Sequence, residues 1–457
     1  METTPPEQPI LTPTPTEDTS IQPALPPIMG MEINRQDYNE ERLELVIRSG
    51  TYWLRLNGVI WSKVEPNEGE RDWDSIADLE IPLRAAAEAG MEVILIVRST
   101  PSWAQRDDGV FCGPVHPDKL ESFAAFVRDT VTRYSQPPFN VAYWELWNEP
   151  EVGVREARPT SPYGCWGDPG DPYYGGGYYA EVLEIVYPQI KVVNPDAQVL
   201  VGGLLLDCDP INPPLLGDGQ PKDCTNARYL EGILLNGGGD YFDGISFHAY
   251  DYYNGSTYGN PNWGAGRFFD EPDGKLVPVL AAKARYLRNL LTQYGHPGKF
   301  LINTETALIC GRDGTEPPCQ AEEFIRTKAR YLVQSYVVAA ANGLRGNVWY
   351  SLTGWRGSGL VPRNAEPTLA YTAYQFIDSQ LTGAVFMREI PDLPGILVYE
   401  FRKDEKTLWA LWSMDGELVE VTLPAMPTAS FDTFGEPLSP VEQFYAGAAP
   451  IFVEWGP

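Results

Sequence analysis

Short apolar runs alternate with amphipathic stretches eight times along most of the chain, and this rhythm restricts the fold more than any other feature. The runs span 28–33, 52–56, 93–97, 141–147, 198–203, 244–247, 300–304 and 347–350. Several are almost continuously apolar, as expected of parallel strands covered on both faces. Stretches at 81–89, 120–134, 178–193, 279–294 and 321–341 carry the i, i+3, i+4 spacing of helices, and Gly90 is placed to cap the first. Right-handed crossovers keep such strands parallel, and eight of them over about 340 residues predict a (β/α)8 TIM barrel. A doubly wound open sheet is the competitor. It is disfavoured because no phosphate-binding glycine fingerprint follows an early strand, and Gly175-Gly176-Gly177 and Gly237-Gly238-Gly239 read as turns.

Beyond residue 380 the pattern changes to short β runs at 395–401, 407–413, 418–423 and 451–454, with turns at Asp404-Glu405-Lys406 and Asp415-Gly416. The chain therefore divides into a Pro/Thr-rich disordered linker at 1–27, a barrel at 28–379 and a small C-terminal antiparallel β domain at 380–457. About 78 residues bury too little surface to stand freely, so that domain is expected to lean on the barrel.

Charge narrows the function. With 34 basic and 62 acidic side chains the net charge is −28, which repels phosphate backbones and anionic membranes; nucleic-acid partners and membrane insertion are not expected. Linkers such as Thr12-Pro13-Thr14-Pro15-Thr16 commonly join an exported domain to an anchor, so an upstream signal or anchor and a secreted or cell-surface location are expected. Six cysteines lack CxxC spacing and the chain has three histidines, so neither a zinc site nor another cofactor is expected. Buried free thiols are one reading of the cysteines. The favoured one is three disulfides in Pro/Gly/Asp-rich loops: Cys112 with Cys165, Cys208 with Cys224, and Cys310 with Cys319. The sequence does not speak to oligomeric state.

Two of the strands end in carboxylates. Trp144-Glu145-Leu146-Trp147-Asn148-Glu149-Pro150 closes the fourth run, and Ile302-Asn303-Thr304-Glu305 closes the seventh. In an eight-stranded barrel these ends face each other across the mouth, where barrel enzymes keep their chemistry. Paired carboxyls beside tryptophans suit a sugar: indoles stack on pyranose faces, and one acid protonates the glycosidic oxygen. A separation of roughly 5 Å suits double displacement, and roughly 6.5–9.5 Å suits inversion.

On these residues the chain resembles the clan A retaining glycoside hydrolases. Trp147-Asn148-Glu149-Pro150 matches the acid/base motif of that clan, and Glu305 its nucleophile position. Arg55-Leu56-Asn57-Gly58 through Trp61-Ser62-Lys63-Val64-Glu65-Pro66 and Thr100-Pro101-Ser102-Trp103-Ala104 are also similar to its members. The tail, with Trp409-Ala410-Leu411-Trp412-Ser413 and Phe431-Asp432-Thr433-Phe434-Gly435, resembles the β domain of family 39 and its relatives. The resemblance implies Glu149 as acid/base, Glu305 as nucleophile, Arg55 as the cation holding the nucleophile ionised, and β-xylosides among the substrates. Asn148 is expected to donate to the sugar 2-hydroxyl. Tyr250 is expected to bond the nucleophile, and His248 to position the sugar or a carboxylate. Trp349 is a candidate sugar platform, with core packing the competing use, while Trp103, Trp166, Tyr252, Tyr253, Trp263 and Trp355 are candidates for outer subsites. A non-catalytic carbohydrate-binding barrel and a transglycosylase are the alternatives.

Overall fold

The protein is described by a computed structural model at residues 27–255, 257–263, 278–363 and 366–456. The expected linker lies, up to residue 26, outside these residues. The barrel strands are β1 (Met29–Glu32), β2 (Trp53–Ile60), β3 (Glu92–Arg98), β4 (Tyr143–Asn148), β5 (Gln198–Leu204), β6 (Gly244–Asn254), β7 (Phe300–Ile309) and β8 (Asn347–Trp349). All pair in parallel, in the order β5-β4-β3-β2-β1-β8-β7-β6, and β5 bonds β6 to close the ring. Each of the eight apolar runs forms one of these strands.

Between and after them lie α1 (Glu40–Arg48), α2 (Glu80–Ala89), α3 (Leu120–Tyr134), α4 (Gly176–Val193), α5 (Tyr229–Leu235), α6 (Leu280–Gln293), α7 (Glu322–Ala341) and α8 (Leu369–Leu381). Gly90 ends α2 in the left-handed conformation at φ 70°, which costs a residue without a Cβ little.

Strand alternation sorts the side chains. In β3, Val93, Leu95 and Val97 join the large core under the helices, while Ile94 points into the ring. Trp53, Ile94, Leu200, Ile302 and Val348 form a fully buried apolar plug there. Two residues beyond Trp53 on the same face, Arg55 opens a layer of charge above the plug.

The C-terminal strands are β9 (Ala384–Glu389), β10 (Ile396–Lys403), β11 (Lys406–Ser413), β12 (Val419–Thr422), β13 (Ala429–Phe431), β14 (Pro437–Leu438), β15 (Gln443–Ala446) and β16 (Ile451–Trp455). Six form an antiparallel sheet in the order β9-β10-β11-β16-β13-β14, and β12 pairs with β15. One face, through Ile396, Val398 and Leu411, has its own small core. The other, through Leu397, Tyr399, Phe401, Trp412 and Phe452, is continuous with the barrel core. Phe452 meets Phe376 of α8 at 5.1 Å, and Gln334 of α7 donates to the Ala448 carbonyl at 2.9 Å. The sheet therefore leans on the last two barrel helices, as its size required.

The three disulfides pair as expected, with Cα separations of 5.3 Å for Cys112–Cys165, 5.2 Å for Cys208–Cys224 and 5.6 Å for Cys310–Cys319. Among the described residues no helix is long and apolar enough to cross a membrane.

Candidate active site

A cleft of about 1040 Å³ opens at the C-terminal ends of the barrel strands, and Asn148, Glu149, Tyr250 and Glu305 all line it. Strict alternation would send the neighbours Asn148 and Glu149 to opposite faces. The backbone avoids this because Trp147 and Glu149 adopt left-handed φ of 75° and 49°. Such conformations cost on the order of 1–3 kcal/mol each and persist where the surroundings hold them. Here Trp147 Nε1 donates to the carbonyls of Cys112 (3.1 Å) and Gly164 (3.2 Å), and the Glu149 amide donates to the Gly203 carbonyl at 3.0 Å.

Glu149 and Glu305 are 8% and 5% exposed. One oxygen of each, together with a His248 nitrogen, lies within a group no wider than 4.8 Å. The His248 imidazole lies between the two acids: Nδ1 is 2.8 Å from Glu149 Oε1, within hydrogen-bond reach, and Nε2 is 3.5 Å from Glu305 Oε1 without a hydrogen bond. Burial, reinforced by Arg55 and Lys283, pushes the His248 pKa well below its ordinary value, so the ring is neutral. Lys283, from α6, fixes that strand by donating to the His248 carbonyl at 2.8 Å and the Leu205 carbonyl at 2.7 Å.

Arg55 is fully buried beneath the pair. Its guanidinium bonds Glu305, Glu32 (2.5 Å), Glu145 (2.5 Å) and Asn148 Oδ1 (2.7 Å). With Asn148 Oδ1 held by the cation, the Asn148 amide is committed to its donor end, which suits a sugar hydroxyl. Three carboxyls share one cation, and burial raises the Glu32 pKa to about 8 against the pull of Arg55, so Glu32 keeps a proton at neutral pH.

The environments of the two cleft acids differ. Burial raises the Glu149 pKa well above the usual range, and Glu305 and Glu151 raise it further. Burial also raises Glu305, but the Arg55 charge and a hydrogen bond from the Tyr250 hydroxyl oppose it. Between two acids this close, the proton belongs on Glu149 and the charge on Glu305.

Two expected residues are elsewhere. Trp349 is 0% exposed, packs on Tyr331 and donates to the Ser358 carbonyl at 3.0 Å, so it is a core residue and presents no face to a sugar. Its neighbour Tyr350 lines the cleft instead, forming an aromatic wall with Tyr250 and Trp355. Trp103 packs edge-on against Trp61 and donates to the Glu65 carbonyl at 2.9 Å, away from the cleft lining. Of the other candidate subsite aromatics, Tyr252, at the end of β6, and Trp355 line the cleft, whereas Trp166, Tyr253 and Trp263 pack elsewhere.

Glu149, His248 and Glu305 also offer three atoms spaced to ligate a cation. Arg55 already bonds Glu305, so a second positive charge would meet repulsion there, and the donor set suits proton chemistry better.

No protein-family model matches the sequence, and no curated protein matches it. Solved structures similar in fold include a family 39 glycoside hydrolase from Bacteroides cellulosilyticus, at 19% identity and TM-score 0.68, covering 94% of this chain and 81% of that one. A monomeric β-xylosidase from Caulobacter crescentus aligns at 13% identity and TM-score 0.59, over 95% and 97% of the two chains. A family 30 subfamily 8 xylanase from Clostridium acetobutylicum aligns at 13% identity and TM-score 0.58, again over 95% and 97%. In fold, the chain resembles the clan A glycoside hydrolases along most of its length.

Proposed function

We propose that the chain is a retaining glycoside hydrolase that cleaves β-glycosidic bonds of plant or microbial oligo- and polysaccharides, β-xylosides among them. The observation that carries this reading is the pair of buried carboxyls with oxygens no more than 4.8 Å apart, one bonded by an arginine and a tyrosine. That spacing supports direct attack rather than attack by an interposed water. Glu305 attacks the anomeric carbon while Glu149 gives its proton to the departing oxygen, forming a glycosyl ester on Glu305. Glu149, now ionised, takes a proton from water, and the water displaces Glu305 with a second inversion.

Asn148 donates to the 2-hydroxyl as positive charge grows on the sugar ring. The fold shared with a β-xylosidase and a xylanase supports pentosides as substrates. The three disulfides support an extracellular setting, where such bonds persist.

Hydrolysis of aryl β-xyloside followed by proton NMR tests the reading: the first product formed should be the β-anomer. Glu305→Ala should lose at least ~1000-fold in kcat. An α-anomer as first product would refute retention, and wild-type turnover in Glu305→Ala would refute the nucleophile. Activity abolished by a chelator would instead favour a bridging cation.

A further inference from the structure

The third barrel strand ends in a charge that the two-carboxylate chemistry leaves unused. Ile94 faces the ring interior, and alternation carries Ile96 and Arg98 to the same face, so Arg98 stands at the mouth and lines the cleft. Its Nε donates to Asn57 Oδ1 on the adjacent β2. Among the described residues its guanidinium has no ion-pair partner, and neither Nη makes a protein hydrogen bond. Of the surrounding acids Glu32 attracts it most, but that carboxyl is bonded to Arg55 and keeps its proton to about pH 8. Burial lowers the Arg98 pKa to about 10, which still leaves it charged at neutral pH.

A second cation stands on the same wall. Ile60 pairs in register with Arg98, and the short helix Trp61–Val64 that follows carries Lys63 to the cleft rim. Lys63 is exposed and has no bonded partner among the described residues. The wall built by the loops after β4 and β5 is acidic, with Glu156, Asp207 and Asp223, and there Lys222 is already paired to Asp207 at 3.1 Å. In a chain of net charge −28, the cleft is thus polarised, with its uncompensated positive charge on one side. A half-buried guanidinium without a counter-ion is costly, and an anion brought by the ligand removes that cost.

We propose that the β2–β3 wall of the cleft is a subsite for an acidic sugar, where a uronic acid carboxylate bridges the two Nη groups of Arg98 and is drawn in by Lys63. The planar end of a guanidinium offers two parallel donors, which a planar carboxylate matches with two oxygens. The subsite rests on the glycosidase reading for the remainder of the substrate.

The test compares hexuronate-bearing β-oligosaccharides with the same compounds after reduction of the carboxyl to an alcohol. The wild type should prefer the acid form by about 10-fold or more in kcat/KM, and the preference should shrink as salt is added. Arg98→Gln should remove most of the preference, and Lys63→Ala, at an exposed position, should reduce it by about 2–3-fold. Equal kcat/KM on both forms, or a preference that survives Arg98→Gln, overturns the proposal. The wild-type measurement decides even if Arg98→Gln does not fold. Tighter binding of a sulfated counterpart than of the uronate overturns the carboxylate assignment. Calorimetry on Glu305→Gln separates the two levels: acid-selective binding without hydrolysis of any substrate by the wild type would sink the glycosidase reading and leave the subsite standing. Hydrolysis with no acid preference would do the reverse.

Discussion

Replacing Arg55 by Met tests the ionic layer under the cleft most directly. The substitution keeps much of the side-chain volume and removes the cation that Glu32, Glu145 and Glu305 share. Stripping one partner from a buried ion pair costs about 3–5 kcal/mol at neutral pH. Unfolding 457 residues at roughly 2.1 cal/mol/K each gives an entropy near 1 kcal/mol/K, so the Tm should fall by about 3–5 °C. The loss should depend on pH with a definite sign. Burial already raises the Glu32 and Glu305 pKa values, and without Arg55 nothing comparable opposes it. A carboxyl whose folded pKa is raised is accommodated below its ordinary range and destabilises as pH climbs through the folded value. The Tm gap between wild type and variant should therefore be narrow near pH 5 and full by about pH 8. In kinetics, Glu305 should hold its proton longer, moving the acid limb of kcat/KM alkaline by about one unit and lowering activity on that limb by about 10-fold. Differential scanning fluorimetry and a pH–rate profile measure both effects. A gap that is constant from pH 5 to 8, or an unmoved acid limb, would refute the account of a shared cation.

Glu32→Gln copies the protonated form of the wild-type side chain; it should match wild-type stability within about 1 kcal/mol near pH 4.5, exceed it increasingly as pH rises to about 8, and so flatten the Tm decline that the wild type shows between those values. Tyr250→Phe removes the hydroxyl that bonds Glu305, and kcat should fall about 10- to 100-fold with the acid limb moved alkaline, read from the same pH–rate profile. Trp349→Phe should cost about 1–3 kcal/mol of stability, about 1–3 °C in Tm, with KM little changed, whereas Tyr350→Ala should raise KM for aryl β-glycosides by about 10-fold; the opposite pattern would restore Trp349 as the sugar platform.

The barrel was legible because its strands are buried on both faces and so read as unbroken apolar runs. The helices found from sequence, such as α3 with Phe123, Phe126, Val127 and Val131 on one face, bury a wide stripe. Helix α1, Glu-Glu-Arg-Leu-Glu-Leu-Val-Ile-Arg, buries only Leu43 and Val46, too narrow a stripe to stand out among charges. In α8 the transition to the β sheet obscured the helix, and strands as short as β13 and β14 carry almost no periodicity. The carboxyl pair was legible because each acid ends a strand. Glu32 and Glu145 were not, because they lie inside apolar runs; the available signal was parity, since a charge on the ring-facing register of a strand needs a buried counter-ion, and Arg55 was already in hand. Parity could not sort Trp349 from Tyr350, where only the path of the chain after β8 decides which ring meets the cleft.

The three disulfides share one geographic bias. Cys112 follows β3, Cys165 follows β4, Cys208 and Cys224 follow β5, and Cys310 and Cys319 follow β7, so every covalent tie lies on the loops at the cleft end. The ring of strands is closed by backbone hydrogen bonds alone and owes nothing to sulfur. Reducing conditions therefore act on the site rather than the scaffold. Cys112 also lends its carbonyl to Trp147, one residue before Asn148, so loosening that tie reaches the strand end that carries Asn148 and Glu149. A thiol-rich compartment should therefore leave a folded barrel with a slack rim around the cleft.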